Sequence, residues 1–135
     1  MLSFVERSID ESFDKDCIRE VTSPIVVNPL TVSVNSSGKE RLVLDLRHVY
    51  KFVDKQKVEF EGVKAAMSFI NSSGYAFKHD LKSGYHHLDI HPQHKKFLGF
   101  SWKFDSQIRY FEFTVLLFGL FLAGHIFTRT VRVFF

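Results

Sequence analysis

From residue 98 onward apolar and other side chains alternate along the chain: Leu98, Phe100, Trp102 and Phe104 fall on one side, Asp105-Ser106-Gln107 interrupts, and Ile108 to Thr114 resumes. A period of two broken by turn-forming residues predicts a β-hairpin. An earlier hairpin is predicted where Ile25 to Val34, rich in β-branched residues, meets the turn Asn35-Ser36-Ser37-Gly38 and the strand-like Arg41 to Leu46, with Lys39 and Arg41 near the tip. Over residues 62–70, Val63, Ala66, Met67 and Ile70 recur at helical spacing and predict one apolar helix face, which Asn71-Ser72-Ser73-Gly74 ends. Tyr75, Phe77 and His79 then alternate with Ala76, Lys78 and Asp80, predicting a strand with Asp80 at its end. Leu88-Asp89-Ile90 also reads as strand, and the apolar pattern from Leu120, with Arg129 and Arg132 three apart, reads as the start of a helix. Residues 1–20 form a lead-in of helical character, bounded by the Ser23-Pro24 step, where the residue before proline is pushed towards extended backbone. The expected organisation is that lead-in followed by one domain over residues 21–135, with no internal repeat.

Composition narrows the class. With 45% hydrophobic and 24% charged residues the chain suits one globular domain, and disorder over most of its length is not expected. The net charge of +3 is unevenly spread: residues 1–20 hold three basic and six acidic side chains, leaving 15 basic and 9 acidic beyond them, a net +6 on the part that would meet a polyanion. Cys17 is the only cysteine, so no internal disulfide or cysteine-based zinc site forms, which suits a reducing compartment. Residues 1–20 lack a basic start followed by an apolar core, so they do not read as a secretory signal, and an intracellular location, cytoplasm or nucleus, is expected.

Asp80 carries the candidate chemistry. A carboxylate at a strand end followed by a glycine-containing turn, Leu81-Lys82-Ser83-Gly84, sets a metal ligand beside backbone amides able to hold phosphate oxygens. A lone Asp before a Gly is also an ordinary turn residue or helix cap, and spacing alone leaves both readings open.

Four landmarks in one order supply context. Arg41-Leu42-Val43-Leu44-Asp45-Leu46-Arg47 resembles the fingers motif of reverse transcriptases of gypsy-like and DIRS-like retrotransposons, and Phe77 to His86 resembles the palm motif that holds their first catalytic aspartate. Phe97-Leu98-Gly99-Phe100 with Tyr110-Phe111-Glu112-Phe113-Thr114 is similar to the following palm hairpin. Leu116-Leu117-Phe118-Gly119-Leu120, with Ala123 and Phe127, is similar to the family's Pro-Phe-Gly loop and helix. The resemblance spans about residues 21–132. It implies an α+β partial right-hand polymerase: a fingers β-hairpin plus an incomplete antiparallel palm sheet with helices. The implied ancestral activity is RNA-directed DNA polymerisation on an RNA or DNA template-primer from deoxynucleoside triphosphates, with Mg²⁺ or Mn²⁺ as cofactor. By the same resemblance Asp80 would be the catalytic metal ligand and Tyr85 the ring against the sugar 2′ position. Arg41, Lys39, the turn Leu81, Lys82, Ser83 and Gly84, and Gly119 would surround the nucleotide.

The departures carry weight too. Tyr50 stands where the family usually has Asn, Leu117 where it has Pro, and Phe121-Leu122-Ala123-Gly124 where it has small-small-Ala-Pro, a pattern that reads as decay of the nucleotide-side loop. The family's paired aspartates are missing, since no Asp-Asp dipeptide occurs among the 135 residues and only Asp89, Asp105 and Glu112 are acidic beyond Asp80. One carboxylate does not offset the repulsion of two divalent ions, so no polymerisation by this chain alone is expected. The expectation is a truncated or decayed copy, or a fragment, whose complete enzyme would add the remaining palm, a thumb and an RNase H-type domain.

Three other readings compete. His86, His87, His91 and His94 could serve zinc or copper, although Pro92 interrupts the run and surface histidines explain it. Phe113 to Phe127 invites a membrane reading, but it falls short of the ~20 residues of a span, and no membrane partner is expected. A non-enzymatic nucleic-acid-binding relic would use Lys39, Arg41, Arg47 and Lys51.

Overall fold

The computed structural model describes residues 3–54, 57 and 59–134. Helix α1 (Phe4–Asp14) starts at a capping box in which the Ser3 hydroxyl accepts from the Glu6 amide while the Glu6 carboxylate accepts from the Ser3 amide. Strand β1 (Ile18–Val21) follows, then β2 (Leu30–Val34) and β3 (Glu40–Leu44), a 3₁₀ turn over Val49–Phe52 and a short α2 (Val63–Met67). A second 3₁₀ turn spans Gly84–His87, and α3 (Pro92–Lys95), β4 (Gly99–Phe104), β5 (Gln107–Phe113) and α4 (Ala123–Phe134) complete the order. Two antiparallel sheets result, one ordered β1-β5-β4 and the other the β2-β3 hairpin, so the class is α+β as expected.

The core grows from the alternation in β4 and β5. Phe100 and Phe111 are register partners with rings stacked at 5.3 Å, and Phe113 lies 5.5 Å from Phe100. Burying each such ring contributes about 2 kcal/mol. Ile9 of α1, Ile18 of β1, Leu44, Leu46 and Leu117 close on the same cluster. The lead-in is thus packed into the structure: β1 runs across the residue-20 boundary and forms the edge of the sheet.

The β1–β5 seam is also ionic. Arg19 lies opposite Glu112 and donates to it from Nε and Nη2 at 3.1 and 2.7 Å; the Glu112 side chain is 6% exposed and that of Arg19 53%. At the sheet's far end Arg109 forks onto Glu20 at 2.8 and 2.7 Å, which holds the Glu20 carboxyl below its ordinary range. Below the hairpin, Asp45 accepts from the Arg47 guanidinium and from the Arg47 amide, and these bonds, with the side-chain one dominant, bring its carboxyl down to about 2.

Four expectations are corrected. No strand forms over residues 75–80: the alternation is present, but no neighbouring strand pairs with it among the described residues, and a strand without a ladder partner leaves its amides and carbonyls to water. Asp80 therefore lies in irregular, exposed chain and not at a strand end. The helix expected over residues 62–70 is confined to Val63–Met67, and Val63 and Met67 within it, like Ile70 beyond it, are exposed to solvent. Pro92 does not simply interrupt: it opens α3, where its missing N–H is no loss. Leu88-Asp89-Ile90 makes a single antiparallel bridge, Asp89 to Val115.

Two predictions follow from the ion pairs. Replacing Arg19 by Ala strands a buried carboxylate, and urea unfolding at neutral pH should show a loss of about 2 kcal/mol, moderated by the exposure of Arg19. Asp45, depressed in the folded state, contributes stability that is present above its ordinary value of about 4 and lost as pH falls towards about 2. A side-chain carbon NMR titration should place the Asp45 midpoint near 2, and Arg47→Ala should return it to the ordinary carboxylate range.

Candidate nucleotide-facing site

The turn after Asp80 is built on an unusual backbone. Ser83 sits at φ 54°, ψ 39°, left-handed geometry that costs a non-glycine residue about 1 kcal/mol, and it leads into the 3₁₀ turn closed by the His86 amide donating to the Ser83 carbonyl. Gly84 follows because a side-chain carbon there would meet the Phe127 ring of α4 at 2.7 Å. Among the described residues no hydrogen bond engages the backbone amides of Leu81, Lys82 or Ser83; the Lys82 carbonyl lies 3.2 Å from His87 Nε2.

Tyr85 joins this turn to the rest of the site. Its ring lies 5.1 Å from Phe118 and 5.3 Å from Phe127, the second contact edge-on. The Arg41 guanidinium sits 5.2 Å from the other partner, the Phe118 ring, as a cation–π contact. Arg41, Phe118, Tyr85 and Phe127 thus form a row contributed by β3, the loop before α4, the 84–87 turn and α4.

Gly119 is fixed by a different constraint. Its φ is 106°, and a side-chain carbon would collide with the carbonyl oxygen of Leu44, while the Leu44 amide donates to the Phe118 carbonyl at 3.3 Å. The close approach that glycine permits here is to the β3 backbone. Leu117, at the position where the family has proline, is fully buried in the core cluster. Tyr50 and Phe121, two further departures from the family pattern, face each other with rings 6.2 Å apart at 65°.

Not every expected residue converges. Lys39 is exposed in the hairpin loop, where its amide donates to Asn35 Oδ1 at 2.8 Å. Asp80 is exposed, and the described residues contain no group of three or more His, Cys, Asp or Glu side chains able to hold a metal ion. His91 and His94 approach each other at 5.4 Å between rings, and His91 Nδ1 accepts from the Gln93 amide. No helix among the described residues is long and apolar enough to cross a membrane.

Two residues enter the site that the sequence reading did not assign to it. A cleft of about 250 Å³ opens between α1, the start of β3 and the Ser83 turn, and Lys15 and His86 line it with Arg41 and Ser83. Burial pushes the His86 imidazole below its ordinary value, and the positive charge of Lys15 adds to the shift. Nothing in the local sequence around Lys15 marks it, since α1 reaches the turn only through tertiary packing.

The comparisons with known proteins agree with this geometry. No family model matches the chain. It is 26% identical over 132 residues to the retrovirus-related Pol polyprotein from transposon 412 of Drosophila melanogaster, a match covering 97% of this chain and 10% of the polyprotein. It is 30% identical over 98 residues to the genome polyprotein of petunia vein clearing virus, covering 72% of this chain and 4% of that one. The chain therefore spans a tenth or less of these curated relatives. Among solved structures, the foamy viral protease-reverse transcriptase in complex with double-stranded DNA superposes with a TM-score of 0.75 at 20% identity, over 96% of this chain and 26% of that one. Its dRH form, also in complex with double-stranded DNA, gives 0.80 at 22% identity, over 96% and 22%. In sequence the chain is similar to retroelement polyproteins, and in fold it is similar to the fingers and palm region of the foamy viral reverse transcriptase.

Proposed function

We propose that these residues form the nucleotide-facing wall of an RNA-directed DNA polymerase. Residues 21–135 supply fingers and palm, and residues 1–20 are the lead-in that closes the sheet edge. The observation that carries the reading is the meeting of Arg41, Phe118 and Tyr85, from three distant parts of the chain, beside a turn with free backbone amides. A planar guanidinium and backbone amides without an internal acceptor suit the oxygens of a triphosphate, and a bulky ring suits exclusion of a 2′-hydroxyl. In this reading Arg41 and the Leu81–Gly84 turn hold phosphates, Lys39 adds charge from the hairpin loop, Tyr85 lines the sugar, and Gly119 keeps the loop close to β3.

Asp80 is the proposed ligand for Mg²⁺ or Mn²⁺. The described residues do not by themselves fit a two-ion site, because no second cluster of carboxylates stands with it. No catalytic step is assigned to them alone; further carboxylates, with the remaining palm, thumb and RNase H-type domains, would complete the enzyme. Template-primer and deoxynucleoside triphosphates are the proposed partners, and the single cysteine suits an intracellular setting.

A primer-extension assay with Mg²⁺ on the 135-residue chain should be blank. Template-directed extension that Asp80→Asn abolishes would refute the claim of inactivity. Binding is the positive test: fluorescence anisotropy with a labelled template-primer should show affinity falling linearly in log–log with salt. Replacing Lys39, Arg41, Arg47 and Lys51 by Ala should flatten that slope by about two to three, less than four because Arg47 is already paired with Asp45. Unchanged binding in the fourfold variant would remove the fingers hairpin from the interface.

A further inference from the structure

We infer that Lys15 and His86 are two further phosphate-binding residues, which extend the nucleotide-facing site from Arg41 and the Ser83 turn into the cleft beside α1. The inference deepens the polymerase reading and takes its ligand, the terminal phosphates of a nucleoside triphosphate, from it.

The cleft combines a dry lining with a charged one. Cys17, Phe113 and Leu117, all buried, line it together with Lys15, Arg41 and His86. Apolar walls lower the local dielectric, so a charge placed there acts on its neighbours more strongly than on open surface. At about 250 Å³ the space is smaller than the ~300 Å³ at which pockets for whole organic ligands begin, which suits phosphate groups with water better than an entire nucleotide.

Neither cation is committed elsewhere. Lys15 caps the end of α1, and its ammonium lies 3.7 Å from the Glu11 carboxylate with both side chains largely exposed, a contact that water screens and an arriving anion displaces at small cost. His86 is half-buried and fixed to the turn by its amide, which donates to the Ser83 carbonyl at 2.9 Å. Burial pushes the imidazole below its ordinary value, and the charges of Lys15 and His87 push it further in the same direction. Glu11 and Glu40 line the cleft with Arg41, yet no carboxylate is among the causes that shift His86. The imidazole therefore faces positive charge that nothing offsets until an anion arrives.

A phosphate group supplies that offset. It neutralises Lys15, a compact donor of three N–H bonds, and accepts from a protonated imidazole as well. Arg41, held over Phe118, and Ser83, whose amide has no internal acceptor among the described residues, line the same cleft, so the phosphate would continue the row that Arg41 begins. The sign of the linkage follows. A bound anion favours the protonated form, so the His86 midpoint rises on binding and the anion is held more tightly as pH falls through that midpoint.

The test follows His86 by NMR titration in the full 135-residue chain, with inorganic tripolyphosphate as the probe and neither metal nor nucleic acid present. Tripolyphosphate should raise the His86 midpoint by about half a unit, roughly a threefold gain in proton affinity. Lys15→Ala should have two effects of opposite character. Without the probe the His86 midpoint rises, because a charge that lowers it is gone, and tripolyphosphate then binds about fivefold more weakly. Lys15 is largely exposed, and unchanged amide shifts of Ile9 and Phe111 would show that α1 and the core keep their packing. Lys103→Ala, which removes an equal charge from β4 outside the cleft, should bind the probe as the native chain does. A His86 midpoint that tripolyphosphate does not move overturns the proposal. So does an equal loss of affinity in Lys15→Ala and Lys103→Ala, which would reduce the effect to net charge. A midpoint that rises as expected while labelled template-primer fails to bind would uphold the phosphate cleft and count against the polymerase reading.

Discussion

The amide of Leu44 donates to the carbonyl of Phe118, and the carbonyl of Leu44 leaves no room for a side chain at Gly119. This one backbone contact joins the two-stranded hairpin to the loop that follows the three-stranded sheet. A free hairpin of two strands is marginal in water, so β2 and β3 depend on being held to a larger core. Leu44 and Leu46 supply the apolar part of that attachment and the Phe118 contact supplies its direction. The position of Arg41, three residues before Leu44 on the same strand, follows from it. So does the placement of Phe118 beneath the Arg41 guanidinium, which brings the fingers hairpin to the turn after Asp80. An alanine at residue 119 would need both a strained φ and a displaced β3, which makes this glycine a condition of the site's assembly whatever it does near a nucleotide.

What the sequence revealed and what it concealed separate along the range of the interactions. Both hairpins were legible because period-two alternation and the turn residues Asn35 to Gly38 and Asp105-Ser106 are local signals. Strand β1 was not, because Arg19 and Glu20 look like solvated charges until Glu112 and Arg109, about ninety residues away, are set beside them. The stretch from Tyr75 to Asp80 failed in the opposite sense: its alternation is as good as that of β5, but strands are made by pairs. The row of Arg41, Tyr85 and Phe127 was foreshadowed by motif order. Phe118 and His86 appeared inside motifs without being assigned a role at the nucleotide site, and Lys15 carries no local mark at all. The contact of Tyr50 with Phe121 was hidden for a further reason, since each residue alone reads as a departure and only the fold shows them touching.

The charge on the fingers side is smaller than a count of residues suggests. Arg47 is committed to Asp45 through side-chain bonds of 2.6 to 3.0 Å, which leaves Lys39 and Arg41 as the hairpin's freer cations, and Arg41 is itself oriented by Phe118. An arginine held over a ring loses less rotamer freedom when a phosphate arrives than one extended into water. The hairpin therefore favours placing one charge well over presenting several loosely.

The opposite holds for Asp80. Catalytic groups need to be held within about 0.5 Å of their working position by neighbours that are themselves packed. Phe77, three residues before Asp80, is 86% exposed, and Tyr75, Phe69 and Ile70 are exposed as well. Aromatic rings left in water forgo about 2 kcal/mol each, so this segment gains little from its present surroundings and is tied to the core mainly from Tyr85 onward. The turn amides and Tyr85 are thus set by the fold, whereas the carboxylate they would serve is not. The proposed inactivity of the chain alone would then rest on two separate grounds: too few anionic ligands for two ions among the described residues, and a proposed ligand whose position the surrounding packing does not fix. Apolar surface packed over Phe77 and Tyr75 would address the second ground before any added carboxylate could address the first.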